Sequence, residues 1–130
     1  MACKPVIFIV ETKIDPENEE KFNEWFDKVH IPLILKIPGV LKAQRYKVIN
    51  TEDDRGKYLA IYDLENEEAI KKWEGPELKT AHQNKLDVWG EDSFTIVWSG
   101  FYKHTREKDS SLPLSPKLRS QYSQEEGKQN

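Results

Sequence analysis

The sequence predicts a single domain of the α+β class with its elements in the order β-α-β-β-α-β. The chain has 130 residues, a length that suits one domain. Residues 1–104 hold 44 of the 48 apolar residues, so we predict that they form the folded domain and that 105–130 form a polar tail, flexible or packed on a partner subunit. Within 1–104, short apolar runs alternate with segments whose apolar residues recur every three or four positions.

Four runs rich in β-branched and aromatic residues predict the strands. They are Val6–Val10, Val40–Ile49, Lys57–Leu64 and Phe94–Tyr102. The polar run at 51–56 predicts a hairpin loop between the second and third strands. Helical segments follow the first and third strands, which gives the ferredoxin-like pattern: a four-stranded antiparallel sheet with both helices on one face.

The first helix is predicted to begin at Asp15-Pro16, where a capping side chain precedes a proline at the first helical position. Its apolar residues form one stripe that can pack against a sheet. They are Phe22, Trp25, Phe26 and Val29. Pro32 lacks an N–H and disfavours helical geometry at Ile31, so we expect the helix to kink or end near His30.

The second helical segment is predicted to consist of two pieces. Asn66 can cap a helix that runs to Trp73. Gly75-Pro76 interrupts this helix, and a second piece runs from Pro76 to about Leu86.

Apolar residues occupy both faces of the predicted strands. A sheet with helices on one face and water on the other alternates apolar and polar residues. In the third strand Leu59 and Ile61 share one face, while Tyr58 and Tyr62 share the other. The chain has no further element to cover the second face, so we predict a homodimer that packs sheet against sheet around a cavity. The alternative is that aromatic residues tolerate a half-exposed sheet.

Charge and composition exclude several classes of function. The chain has 20 basic and 23 acidic residues, with no cluster of basic residues, so nucleic acid is not an expected partner. Cys3 is its single cysteine, which fits a reducing compartment. No apolar run is long enough for a signal or a membrane span, so we expect a cytoplasmic protein without a membrane partner. Neither nucleotide-binding glycine motifs nor metal-ligand spacing of the three histidines is present in the sequence.

One stretch of the sequence resembles a known superfamily. Residues 22–32 read FNEWFDKVHIP, followed by IPGV at 37–40 and AQRY at 43–46. This is similar to the dimeric α/β-barrel superfamily, and within it to the EthD-like group, whose helix carries W-[YF]-x-x-x-H-[IL]-P. The resemblance implies a ferredoxin-like protomer, a dimer with its sheets back to back, and a small-molecule pocket between sheet and helices. Members include cofactor-free monooxygenases, cyclases, isomerases and haem-degrading enzymes, so the resemblance defines no single reaction.

His30 is the leading catalytic candidate. By the resemblance, it matches the histidine at the end of the family's helix, and Trp25 matches its aromatic companion. An imidazole that titrates near neutral pH can act as a general base on an acidic phenol or enol. The alternative is a structural histidine that hydrogen-bonds a backbone carbonyl at the kink.

Aromatic side chains are predicted to line the cavity, with Tyr62 as a second catalytic candidate that polarises an oxygen atom of the substrate. The predicted substrate-binding residues are Trp25, Tyr46, Tyr58, Trp98 and Arg45. Tyr46 and Arg45 are included because they match strand positions of the resembling group. Together these residues favour an apolar or aromatic ligand. The alternative, for each one, is an ordinary core or interface residue.

Haem is a minor alternative to the expected absence of a cofactor. Some haem-degrading relatives carry a tryptophan and an axial histidine on the second helix, where this chain has Trp73 and His82. The Gly75-Pro76 interruption counts against haem, as does Thr12 in a position where those enzymes need an asparagine.

The acidic residues are assigned structural roles. Asp63 lies among apolar residues and is predicted to pair with Arg45 on the neighbouring strand. We expect Glu11, Glu24 and Asp27 to be solvated.

The sequence thus predicts a homodimeric α/β-barrel protein that binds a small molecule. As its activity we predict a cofactor-independent oxygenation, cyclisation or isomerisation of an apolar or aromatic substrate, with His30 as proton acceptor and donor. The alternative is a non-catalytic binding or interaction protein. An open cavity beside His30 favours the enzyme, and a space filled by side chains favours the interaction protein.

Overall fold

Four strands form one antiparallel sheet in the computed structural model, which describes residues 6–49, 57–91, 94–108 and 110. They are β1 (Val6–Lys13), β2 (Val40–Lys47), β3 (Tyr58–Leu64) and β4 (Thr95–Lys103). Their order across the sheet is β2-β3-β1-β4, and each neighbouring pair is antiparallel. With its helices on one face, this sheet gives the ferredoxin-like α+β fold that the sequence predicts.

Two helical segments follow β1 and β3. The first consists of a 3-10 turn (Pro16–Asn18), α1 (Glu19–Trp25), a π-turn (Phe26–His30) and α2 (Ile31–Ile34). The second consists of α3 (Glu68–Trp73) and α4 (Pro76–Trp89). Asn66 Oδ1 accepts a hydrogen bond from the backbone N–H of Ala69 at 3.3 Å, so it caps α3 as predicted.

The π-turn takes the place of the kink or helix end that was predicted near His30. In it the N–H of Ile31 donates to the carbonyl of Phe26, five residues earlier instead of four. A widened turn of this kind accommodates a residue without an N–H, so the helix continues through Pro32 to Ile34. π-turns are frequent at functional sites, and this one ends at His30.

The two faces of the sheet have different surroundings. The inner face packs against the helices, and alternate residues of β3 from Tyr58 to Leu64 are buried there. The outer face is covered by none of the elements in the described ranges. It nevertheless carries apolar side chains, including Ile9 of β1 and Ile61 of β3, which lie opposite each other.

Glu11 is buried, so the prediction that it is solvated was wrong. The first strand extends three residues beyond its predicted end, through Lys13, and this places Glu11 on the outer face beside Trp98. Only 1% of Glu11 is exposed, and its Oε1 accepts a hydrogen bond from Trp98 Nε1 at 3.3 Å.

The predicted ion pair between Asp63 and Arg45 was also wrong. Asp63 pairs with Lys42 instead, with 3.6 Å between Oδ2 and Nζ. The strand register explains the difference, because Lys42 is opposite Asp63 on the outer face whereas Arg45 is opposite the inward-facing Ala60.

Some predictions fall outside the described residues. These are Cys3, the loop at 51–56 and most of the tail at 105–130, so the division at residue 104 stays a prediction. Among the described helices, none is both long and apolar enough to cross a membrane.

Candidate functional site

A cavity of about 360 Å³ lies between the inner face of the sheet and the helices. β1, β3 and β4 form one side of it, and the π-turn, α2, α3 and α4 form the other. The described lining is mostly apolar, with His30, Tyr62, His82 and Lys85 among its polar residues. Small-molecule sites typically have about 300–1,000 Å³ and this kind of lining. The structure therefore has an open cavity beside His30.

Three aromatic rings form an apolar wall of the cavity. The ring centre of Phe8 is 4.6 Å from that of Trp73 and 4.8 Å from that of Phe101. Trp73 and Phe101 meet edge to face at 5.6 Å. Tilted and edge-to-face pairs of this kind hold each ring in place. This wall suits a flat, apolar ligand.

His30 is held by two aromatic neighbours at the end of the π-turn. Its ring stacks on Trp25 with 4.8 Å between the ring centres and packs against Phe26 at 4.9 Å. Trp25 is in turn fixed by a hydrogen bond from its Nε1 to Asn84 Oδ1 on α4, at 2.9 Å. The imidazole is thus positioned by both helical segments.

Burial keeps the His30 imidazole neutral. Removal from water lowers its pKa from 6.5 to about 4, with smaller contributions from the positive charge of Lys85 and from His82. Its Nδ1 is buried and has no hydrogen-bond partner among the described residues. The expectation that His30 titrates near neutral pH was therefore wrong. Its lone pair is free to accept a proton from a bound acid, but the same burial makes it a weaker base than an imidazole in water.

Tyr62 reaches the cavity from β3. Only 1% of the residue is exposed, and its hydroxyl is buried without a hydrogen-bond partner in the described part of the chain. Burial raises the pKa of this phenol, so Tyr62 keeps its proton. A protonated hydroxyl with an unused hydrogen bond can donate to an oxygen atom of a ligand.

Two basic side chains of α4 line the cavity together with His30 and Tyr62. His82 and Lys85 are three residues apart on this helix and both line the cavity. Burial lowers the pKa of each, and Lys85 also lowers that of His82. Lys85 Nζ lies 5.0 Å from the ring centre of Phe94, which also lines the cavity.

Arg45 and Tyr58 do not line the cavity but form a polar network with α1 and the π-turn. Arg45 donates through Nη1 to Asp27 Oδ1 and through Nη2 to Asn23 Oδ1, each at 2.9 Å. Asn23 Nδ2 donates to Tyr58 Oη at 3.0 Å, and Tyr58 donates to a carboxylate oxygen of Glu19. We call these five residues the Arg45 network. Asp27, which we expected to be only solvated, is thus the ionic partner of Arg45.

The Arg45 network reaches the cavity indirectly. The guanidinium carbon of Arg45 lies 4.5 Å from the ring centre of Phe26, and Phe26 packs against His30. Arg45 therefore supports the aromatic contacts of His30 without contacting the cavity.

Tyr46 and Trp98 lie on the outer face of the sheet. Their backbone partners are Leu59 and Glu11, whose side chains are on that face. Half of Tyr46 and 37% of Trp98 are exposed. The structure thus brings His30, Tyr62 and, behind His30, Trp25 together, and places the other predicted substrate-binding residues elsewhere.

Sequence reasoning missed Lys85 as a site residue. The helical pattern of α4 already placed position 85 near His82 on one side, so its spacing was the available signal. Phe8 was also missed, because a residue in a strand that is apolar on both faces cannot be assigned to a cavity from its sequence.

The chain belongs to a family described as a domain of unknown function, DUF4286, whose model matches residues 5–97. No curated protein matches the sequence.

Solved structures with the same fold support the resemblance to EthD-like α/β barrels. An EthD family protein of Bacillus halodurans is 19% identical, with a TM-score of 0.55 over 74% of this chain and 96% of that one. SnoaB of Streptomyces nogalater, a cofactor-independent oxygenase, is 15% identical, with a TM-score of 0.54 over 84% and 99%. The haem degrader MhuD of Mycobacterium tuberculosis, solved with two haems in its active site, is 16% identical, with a TM-score of 0.56 over 81% and 100%. At these identities the likeness establishes the fold and no particular activity.

Proposed function

We propose that this protein binds a compact apolar or aromatic molecule in the cavity and, without a cofactor, transfers a proton of that molecule through His30. The observation that carries the proposal is the open cavity of about 360 Å³, which is lined by a neutral histidine and by a buried tyrosine whose hydroxyl has no partner among the described residues. Buried polar groups without partners cost free energy, so their presence in a ligand-sized cavity favours a functional role.

His30 and Tyr62 have complementary roles in the proposed mechanism. The neutral imidazole of His30 accepts the proton of a phenol or enol, and the Tyr62 hydroxyl donates a hydrogen bond to an oxygen atom of the ligand. Trp25 keeps the imidazole ring in place through their stacking contact. Oxygenation, cyclisation and isomerisation of such substrates can all begin with this proton transfer. His30 then returns the proton to the product.

A homodimer is the proposed functional unit. The outer face carries Ile9 and Ile61 beside partly exposed aromatic rings, including Trp98 and Tyr102, which meet edge to face at 5.9 Å. A second copy of the chain packed on this face would remove these side chains from water. Light scattering at micromolar concentration is expected to give twice the mass of one chain, and the mass of one chain would contradict the dimer.

The cavity does not fit haem well. Trp73 and His82 both line it, which is the arrangement that raised haem as an alternative. However, about 360 Å³ lies near the lower limit of ligand sites and suits a molecule of two or three fused rings better than a tetrapyrrole. Of the described lining residues, Lys85 alone offers an ammonium group for two propionates. We therefore propose a ligand smaller than haem and derive no step through a haem group.

Proton exchange in 2-naphthol provides a test of the proposed function. Removal of the hydroxyl proton makes ring carbon C1 nucleophilic, so C1 exchanges its hydrogen for deuterium in D₂O, and proton NMR follows this exchange. We expect the protein to accelerate the exchange and His30→Asn to reduce the acceleration by about 10²–10⁴-fold, the usual contribution of a general base. Tyr62→Phe should cause a smaller loss.

His104→Asn is the matched control, because His104 follows β4 and is not among the described residues that line the cavity. It should exchange 2-naphthol at the wild-type rate. If His30→Asn and wild type bind 2-naphthol equally and exchange it equally, His30 has no catalytic role. If neither binds any small aromatic molecule, the non-catalytic interaction protein is the better account.

A further inference from the structure

We propose that the ligand carries an acidic group, and that Lys85 binds the resulting oxyanion at the α4 wall of the cavity. This inference rests on the proposed function and adds the chemical class of the ligand: an aromatic or apolar molecule with one carboxylate or comparable anionic oxygen group.

The first argument is the position of Lys85. It lines the cavity from α4, is only partly exposed, and holds its ammonium group over the ring of Phe94. Lysines on exposed positions of a helix extend into water. Lys85 instead lies against an apolar ring at the edge of a ligand-sized space.

The second argument is that Lys85 has no ionic partner in the described part of the chain. Lys28, Lys42 and Lys103 each lie within 4.0 Å of a carboxylate oxygen, but Lys85 is in none of the described ion pairs. Glu74 is the acidic residue among the described lining and is not paired with it. A partly buried cation without a counter-ion costs free energy, which an anionic ligand group would recover.

The third argument is the charge of the surrounding groups. His30 and His82 line the same cavity and are neutral near pH 7, because burial lowers the pKa of each. Neutral imidazoles can donate a hydrogen bond to an oxyanion without repelling it. The cavity therefore offers one positive charge at Lys85, two neutral rings and an apolar aromatic wall, with the carboxylate of Glu74 as the negative charge among the described lining.

Two fluorescent probes of nearly identical shape test this inference. 8-Anilino-1-naphthalenesulfonate carries an anionic group, and N-phenyl-1-naphthylamine is the same ring system without it. Binding of each is measured by fluorescence titration to wild type and to Lys85→Gln. We expect Lys85→Gln to weaken binding of the anionic probe by about 10–100-fold, the usual effect of losing a charge-assisted hydrogen bond, and binding of the neutral probe by less than about twofold.

Two variants serve as controls. Lys79→Gln removes an exposed lysine from the same helix and should leave both affinities unchanged. Ser99→Phe adds a ring at a partly open position of the cavity lining and should abolish binding of both probes inside the cavity. Signal that survives in Ser99→Phe comes from other apolar surface and is subtracted.

The outcomes separate this inference from the proposed function. One outcome is that the neutral probe binds in the cavity while Lys85→Gln weakens the binding of both probes equally or of neither. In that case the proposal of an acidic ligand is wrong, and the proposal of an apolar binding site stands. If Ser99→Phe leaves both titrations unchanged, neither probe enters the cavity, and both proposals fail.

Discussion

Tyr58 and Tyr62 lie four residues apart on β3, on the same inner face, yet their hydroxyl groups have opposite surroundings. The Tyr58 hydroxyl donates to Glu19 and accepts from Asn23. The Tyr62 hydroxyl is buried without a partner in the described ranges. The Tyr58 hydroxyl is therefore satisfied by the protein itself, although Arg45 Nε beside it has no described partner, and the Tyr62 hydroxyl has an unused hydrogen bond that points to the cavity.

This difference separates residues that stabilise the fold from residues available to a ligand. The Arg45 network joins α1 and the π-turn to β2 and β3 through four hydrogen bonds between side chains. At the cavity, His30 Nδ1 and Tyr62 Oη are both unpartnered within the described residues. Function commonly costs stability in this way, because groups that are prepared for a ligand are unsatisfied without it.

The largest difference in stability is expected between Arg45→Met and Lys85→Met. Arg45→Met removes two hydrogen bonds and leaves Asn23 and Asp27 without their partner, so the free energy of unfolding should fall by about 2–3 kcal/mol. Lys85→Met removes a cation that has no described ionic partner, so the free energy of unfolding should change by less than about 0.5 kcal/mol. Urea denaturation measures both. Equal losses would contradict the separation of the two regions.

The pH dependence of stability should report the burial of His30. The folded state lowers the pKa of His30 from 6.5 to about 4, so the unfolded chain binds more protons between these values. The free energy of unfolding should therefore fall as the pH is lowered from about 6.5 to about 4, by roughly 2 kcal/mol after allowance for partial solvation. In His30→Asn this loss should be largely absent, whereas in His104→Asn it should remain. A loss of equal size in all three proteins would contradict a buried neutral His30.

The smallest effects on stability are expected when Tyr58 or Tyr62 is replaced by phenylalanine. Tyr58→Phe removes a hydroxyl with two hydrogen bonds and should destabilise the protein by about 1–2 kcal/mol. Tyr62→Phe removes a hydroxyl without a described partner and should leave stability unchanged or raise it by up to about 1 kcal/mol. Thermal unfolding of the matched pair measures the sign of each change. Destabilisation of both by the same amount would mean that Tyr62 also has an internal partner.

The fold could be predicted from the sequence because its signals are local. Asp15-Pro16 marked the start of the first helical segment, although the Asp15 side chain makes no capping hydrogen bond there, and Gly75-Pro76 separated α3 from α4. The π-turn could not be predicted, because Pro32 alone does not distinguish a broken helix from one that widens and continues.

The site was predicted only where a resemblance or a helical pattern singled out a residue. His30 and Trp25 were found in this way, and the structure stacks them. The position of Trp98 depended on which side of the sheet its strand presents it to, and the role of Arg45 depended on partners that are distant in sequence. A strand that is apolar on both faces does not reveal which side faces the helices, so the sequence placed Trp98 in the cavity although it lies on the outer face.

The central claim is that His30 is a neutral imidazole inside a ligand cavity, and an NMR titration of its Cε1 proton tests this most directly. Assignment by comparison with His30→Asn gives the pKa with and without 2-naphthol. In the protein without ligand we expect a His30 pKa of about 4. Addition of 2-naphthol should shift the His30 resonance and leave the resonance of His104 unchanged. A pKa near 6.5 together with a resonance that does not respond to 2-naphthol would contradict the claim.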